Sequence, residues 1–244
     1  WIFLEIFNLP YYINFLIAGG LCVFLSIVMY LGFPNFPSKV EQNKNLVLRK
    51  RYWLYYLLTF LSGARRQIFV VFAAFLMVEK FGYTASQVTL LFLINYAFNY
   101  LFAEKIGRLI GKFGERKTLT FEYIGLIFVF VAYGLVESAT LAAFLYVLDH
   151  MFFALAIGIK TYFQKIADPK DMASNAGVSF TINHIAAVIV PVLLGMVWMW
   201  SHSLVFFIGA IFATLSLIAS RLIPENPHPD NETRISYPSV TINS

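Results

Sequence analysis

Three groups of residues in this chain have the types and spacing to do chemistry, and all three lie in apolar surroundings. The first is Arg65-Arg66-Gln67, within LSGARRQIFVVF. A guanidinium presents a planar fork of donors that matches two oxygens of a carboxylate or phosphate, so this group suits an anionic ligand. The competing reading is an ion pair with an acid on another element. The second is Asp149-His150, within YVLDHMFF. Low-dielectric surroundings disfavour a bare carboxylate, which makes Asp149 a candidate to take up a proton. Histidine exchanges protons near neutral pH without help. Asp149 alternatively neutralises Arg65 or Arg66, and the two readings are compatible, because a proton that breaks the pair would drive a switch. The third group is polar and uncharged. Asn95 and Asn99 are four apart and share one face of a helix, and Asn183-His184 lies further along. Such amides either contact a ligand or bind helices together, and His184 is either a ligand contact or a packing residue.

The elements that must hold these residues follow from composition. The chain has 244 residues, of which 59% are hydrophobic and 13% are charged. Soluble domains carry about 25% charged residues. The apolar residues fall in runs of about twenty, the length that crosses a bilayer's hydrocarbon core. Backbone groups find no water there, so each run must be helical. The sequence predicts spans at 11–31, 52–78, 87–103, 118–136, 141–159, 175–200 and 204–222, with a stub at 1–7. The fold class is therefore an all-α integral membrane protein, a polytopic helical bundle in a lipid bilayer. Placing a charge at a span centre costs about 2.5–3.5 kcal/mol, so charges there mark pathways by default. The arginines lie well inside 52–78, with Gly63 placed to loosen the helix before them, and Asp149 lies about 13 Å inside 141–159.

Basic residues report the orientation. The segments 33–51, 104–117 and 160–174 and the tail, counted with Arg221 at the end of the last span, carry 5, 5, 3 and 2 of them, 15 of the 18 in the chain. These segments alternate with loops that carry only Lys80, so they are expected on the cytoplasmic side, which for most such proteins is the inner face of the plasma membrane. The net charge of +5 thus reflects membrane orientation and points to no nucleic-acid partner. Cys22 is the single cysteine, which excludes a disulfide framework and a cysteine-based metal site. Neither a nucleophile–base pair nor a cofactor or metal fingerprint is present, so the chain is not expected to be an enzyme. The tail from Pro224, rich in Pro, Asn and Ser, reads as unstructured. Glu122 and Glu104-Lys105 are assigned to a charge network at the cytoplasmic helix ends.

The segment 107–117, GRLIGKFGERK, is the one glycine-punctuated basic motif, and it is expected to be a loop. It lacks the four-residue glycine spacing and the Gly-Lys-Ser/Thr ending of a phosphate-binding loop. It resembles the signature of the major facilitator superfamily, Gly-x-Leu-x-Asp-Arg-x-Gly-Arg-Arg/Lys. Gly107, Leu109, Gly114, Arg116 and Lys117 fit that pattern, Lys112 fits its basic position, and Arg108 lies within it. Gly111 stands where the family has an acid, and Glu115 is inserted where a base is common. The resemblance implies a gating loop between helices eight and nine of a twelve-helix transporter that works by alternating access. It implies that 1–32 ends the N-terminal half with helices five and six, that 33–51 is the central linker, that 52–223 holds helices seven to twelve, and that 224–244 is the tail. The chain, opening at Trp1 inside an apolar segment, then reads as a piece of a longer polypeptide whose N-terminal half is missing. Helices seven and ten line the family's central cavity, and these are the spans with the arginines and with Asp149. The expected substrate contacts are Arg65, Arg66, Gln67, Asn95, Asn99, Asp149, His150 and His184, with Asp149 and His150 coupling a small, anion-leaning solute to a proton. The alternative is a non-transporting sensor or assembly protein on the same scaffold, which the missing acid at Gly111 permits.

Overall fold

The computed structural model describes residues 10–34, 40–43 and 45–235. The predicted stub at 1–7, the linker residues Lys39 and Lys44, and the tail beyond 235 lie outside the described residues. The described chain is helical, with no strand beyond an isolated bridge between His228 and Asn231. In order, the helices are α1 Tyr11–Gly32, α2 Trp53–Gln67, α3 Ala74–Glu79, α4 Ala85–Phe113, α5 Glu115–Gly134, α6 Ala139–Phe153, α7 Ile157–Ile166, α8 Met172–Trp198 and α9 His202–Ser220. A π-helical stretch, Ile68–Ala73, joins α2 to α3, and a 3-10 stretch, Ala154–Ala156, joins α6 to α7. Each of these two pairs therefore forms one interrupted span. Six helical segments among the described residues are long and apolar enough to cross a membrane. The seventh predicted span, α4, is long enough at 29 residues, but Gln87, Asn95 and Asn99 dilute its apolar character.

α5 and α9 form the most extensive helix pair, and α2 packs on α8 and α9. Where these helices meet, Phe69 sets its ring edge-on to Phe130 and Tyr133, with centroids 4.9 and 5.1 Å away. Aromatic pairs in this arrangement add to the area they bury. Gly63 on α2 allows the close crossing of α8. A Cβ there would stand 2.7 Å from the Asn183 Oδ1, so Gly63 serves packing and does not loosen the helix. The loosening comes after the arginines, in the π-helical stretch. α1 buries none of its residues and stands apart from the bundle.

The predicted loop at 107–117 is mostly helix. α4 runs through Gly107 and Gly111 to Phe113, and the chain reverses at the single residue Gly114. Gly114 has φ +80° and ψ 159°, a region open essentially to glycine alone, and its N–H closes α4 onto the Ile110 carbonyl. The polar, basic composition of 104–113 suggests a loop, but with no proline and no positive φ before Gly114 nothing stops the helix. The charges simply lie on its exposed surface. Glu115 opens α5, where a helix dipole favours an acid, and it is buried against the Lys165 ammonium at 2.8 Å.

The same end of the bundle is closed by a network around Asp171. Its carboxylate accepts from the Arg49 guanidinium, from Asn43 at 2.8 Å and from the Tyr52 hydroxyl at 3.0 Å. The Tyr52 hydroxyl also accepts from Arg51 and from the Asp168 backbone N–H, so its one donor and two acceptor sites are all used. The start of the tail is held as well, which differs from an unstructured tail beginning at Pro224. Glu225 pairs with Arg116 at 2.6 Å, the Glu232 carbonyl accepts from Tyr162, and the Arg234 N–H donates to the Leu222 carbonyl at 2.8 Å. Composition alone misses this, because the partners come from distant helix ends.

These observations set opposite expectations for three glycines in one motif. Gly114→Ala is expected to destabilise the protein by about 1–3 kcal/mol, the cost of a strained backbone region. Gly107→Ala and Gly111→Ala, in a helix with open space where the methyl would go, are expected to be neutral or to stabilise by about 0.5–1 kcal/mol. Thermal unfolding in detergent checks this ordering. A flexible loop would make the three substitutions alike.

Candidate functional site

The two arginines of the 65–66 pair have different fates, set by their 100° separation around α2. Arg65 turns inward and is buried, with its side chain 1% exposed. Its Nη2 lies 3.7 Å from Oε1 of Glu122, whose side chain is wholly buried, and its guanidinium sits 4.5 Å over the Tyr123 ring. Its Nε donates to the Leu61 carbonyl at 3.3 Å. Arg65 thus takes the ion-pair alternative, and it lines neither of the cavities described below. Arg66 is exposed, has no ion-pair partner among the described residues and lies 5.7 Å from the Phe153 ring centroid.

Arg66 borders two adjoining cavities. The first, of about 350 Å³, is lined by Arg66, Asn95, Asn99, Asp149 and His150 together with Phe69, Phe92, Tyr96 and Phe153. Five of the residues singled out by sequence therefore meet in one place. Asn95 is buried, and neither atom of its amide has a hydrogen-bond partner among the described residues. Such a group is costly unless something pairs with it. Asn99 donates to the Asn95 carbonyl at 3.1 Å, and so is partly committed to its own helix. His150 Nδ1 faces the Tyr146 carbonyl at 3.0 Å and Asp149 Oδ2 at 3.6 Å. A carbonyl only accepts, so in this contact Nδ1 carries the hydrogen.

The second cavity, of about 600 Å³, is lined by Arg66, Gln67, Asn183 and His184, and also by Lys160. Here His184 Nδ1 faces the Phe180 carbonyl at 2.8 Å. A polar ladder backs this cavity: Tyr55 and Ser179 hydroxyls are 2.6 Å apart, and Asn175 donates to the Tyr55 hydroxyl at 3.2 Å. The helix interruptions border both spaces. Val70, from the π-helical stretch, lines both cavities, Ala154 lines the first and Ala156 the second. Interruptions of this kind concentrate at functional sites, because they free backbone groups and re-aim side chains.

Two residues escaped the sequence reading. Glu122, assigned to the charge network at a helix end, lies instead two turns inside α5 and faces Arg65. The signal was available in its spacing: seven residues beyond Glu115 put it roughly 10 Å down the helix. Lys160, read as the first residue of a polar segment, is the fourth residue of α7 and lines the second cavity. Of the gating motif, Arg108 pairs with Glu104 at 3.3 Å on the exposed face of α4, while Leu109, Lys112 and Lys117 are exposed and Arg116 holds Glu225. None of these borders either cavity.

A family model described as Major Facilitator Superfamily matches the chain twice, over residues 2–191 and over residues 55–239. No curated protein matches it.

The split between the two arginines is testable. Arg65→Ala strands the buried Glu122 carboxylate and is expected to cost about 3–5 kcal/mol, the range for removing one partner of a buried pair. Arg66→Ala is expected to leave the melting temperature unchanged. Melting curves of the two variants in detergent read the difference directly.

Proposed function

Because the chain belongs to the major facilitator superfamily, whose members are membrane transporters, we propose that it moves a small anionic solute by alternating access, coupled to protons. The observation that carries this reading is the 350 Å³ cavity, where a guanidinium without an ion-pair partner and a buried amide without a hydrogen-bond partner, both among the described residues, line the same space as a carboxylate and an imidazole. Arg66 supplies the charge that selects an anion, and its planar fork gives two parallel hydrogen bonds to one oxyanion. Asn95 supplies a donor and an acceptor whose desolvation is offset only when a ligand is bound. Gln67, Asn99 and His184 border the remaining wall of the combined space. Asp149 and His150 exchange the proton, since both line the cavity and each has a neutral form that suits low dielectric.

In this reading the solute sits between this half and an N-terminal half of the same polypeptide, to which α1 belongs as helix six. The exposure of α1 supports that assignment, because an apolar helix with none of its residues buried suits a further apolar surface. The 33–51 linker, the 107–117 motif and the tail lie at the cytoplasmic face of the plasma membrane, which the basic-residue distribution supports. Arg65 is a positioning residue here: it holds α2 to α5 and so fixes the register that presents Arg66.

The test is flux. The full-length protein in proteoliposomes is challenged with a panel of anionic, neutral and cationic solutes while an internal dye reports pH. Anion uptake accompanied by a pH change is expected. Arg66→Ala is expected to lower uptake at least tenfold, a loss of one charge-assisted contact, and Asp149→Asn to abolish the pH change. Uptake and pH dependence surviving in both variants would overturn the site. Solute binding without flux would place the chain with sensors or assembly proteins.

A further inference from the structure

The larger of the two cavities carries fixed charge of one sign only. Its walls are single helix faces. Arg66 lies three residues beyond Gly63 on α2, Lys160 on α7 four beyond Ala156, and Asn183 on α8 four beyond Ser179, and all six line the space. Among the described residues no aspartate or glutamate lines it, and Asp149 borders the smaller cavity instead. The uncharged groups of the wall already have partners. The Tyr55 and Ser179 hydroxyls share a hydrogen bond, Thr59 donates to the Tyr55 carbonyl at 2.8 Å, and Asn183 donates to the Ser179 carbonyl at 2.9 Å. The two cations do not. Among the described residues neither the Arg66 nor the Lys160 side chain has a hydrogen bond or an acid in salt-bridge contact. Lys165, further along α7, shows the contrast, since Glu115 answers it at 2.8 Å. A charge inside a span is retained for a partner or for a pathway, and at Lys160 the partner is missing.

We infer that the solute carries two separate anionic groups, one held by the Arg66 guanidinium and the other by the Lys160 ammonium, and that dicarboxylates are the chemical class this site takes. The lining sets the separation. Arg66 borders both cavities and Lys160 only the larger one, so the two cations mark two points along the space and not one. A single oxyanion at Arg66 leaves the ammonium without a counter-charge, and a second carboxylate supplies it. The volume of about 600 Å³ has room for a short carbon chain between the two groups. The cations divide the work by their shapes. The planar fork of Arg66 orients one carboxylate through paired hydrogen bonds, whereas the ammonium of Lys160 is a point charge on a flexible stem that accepts a second carboxylate over a range of positions. Lys160 is thereby the residue that sets specificity for charge number. The inference rests on the reading of an anionic solute given above and adds to it the number and spacing of the charges.

Titration calorimetry of the full-length protein in detergent tests it with malonate, succinate, glutarate and adipate, each against its own monoamide, which has nearly the same size and one charge fewer. Sulfate serves as the compact dianion. The expected result is that at least one dicarboxylate binds about tenfold or more tighter than its monoamide, the worth of one further hydrogen bond to a charged group. Lys160→Gln is expected to bring that dicarboxylate down to the level of its monoamide while leaving the monoamide's own affinity unchanged, and Lys160→Arg to keep the preference. Equal binding of every dicarboxylate and its monoamide, or a preference that survives Lys160→Gln, overturns the inference and leaves a singly charged solute at Arg66 standing. Sulfate binding as tightly as the best dicarboxylate overturns it too, because one point then suffices. Should Lys160→Gln fail to fold, the native protein's discrimination between dicarboxylate, monoamide and sulfate still decides the matter. Selective binding of a dicarboxylate without flux in proteoliposomes removes the transport reading and leaves the two-point site in place, whereas binding of none of these anions overturns both.

Discussion

A guanidinium buried between membrane helices has to be answered by an acid, and the rest of this bundle is arranged around that requirement. Arg65 ties α2 to Glu122 on α5. α5 is the helix on which α9 lies along its length and which α6 and α7 also touch. The pair is weak by the standards of a hydrogen-bonded bridge, since 3.7 Å is too long for one and, among the described residues, the terminal nitrogens of Arg65 have no hydrogen-bond partner. A buried pair of this kind adds little net stability, but it is strongly selective, because any packing that separates the partners strands a charge in hydrocarbon. It therefore fixes which face of α2 points inward. The next residue, Arg66, is turned outward as a direct result.

The two spans that carry the charged candidate residues are also the two that are interrupted, whereas Asn95, Asn99 and His184 lie on the unbroken α4 and α8. The π-helical stretch Ile68–Ala73 begins one residue after Gln67, and the 3-10 stretch Ala154–Ala156 begins four residues after His150. Uninterrupted helices with the same sequences would carry a single hydrophobic stripe to the end. The breaks rotate the second part of each span, so that Val70, Ala154 and Ala156 reach cavity walls. The small side chains Ala154 and Ala156 give that wall its room. On these two spans geometry and chemistry coincide: the charged groups lie shortly before backbone that departs from the α-helix.

Much of this was legible in the chain, and the exceptions have physical causes. Long apolar runs identify spans because lipid permits only one backbone solution, and the helices follow those runs closely. The gathering of Arg66, Asn95, Asn99, Asp149 and His150 was foreshadowed by cost alone, since polar groups in a span demand a reason. Arg65 and Arg66 could not be separated by that criterion, because cost does not tell inward from outward. Glu122 was misread because α2 and α5 must be packed before its partner is adjacent. The 107–113 residues looked like a loop because they are polar and contain glycine, yet helix continues wherever no residue forbids it, and only Gly114 does. The contacts of Glu225 and Glu232 depend on residues more than fifty positions away, and no local pattern announces them.

The turn at Gly114 carries a mechanical consequence. One residue joins α4 to α5, and Thr118 closes the joint from the other side by donating to the Gly114 carbonyl at 2.9 Å. A connection that short has no slack. Longer linkers absorb a neighbour's tilt, but here a displacement of one helix becomes a torque on the other. α4 holds the cavity amide of Asn95, and α5 holds Glu122. The two helices form a bell-crank with its pivot at Gly114, and whatever pulls on the one arm is delivered, without backlash, to the other.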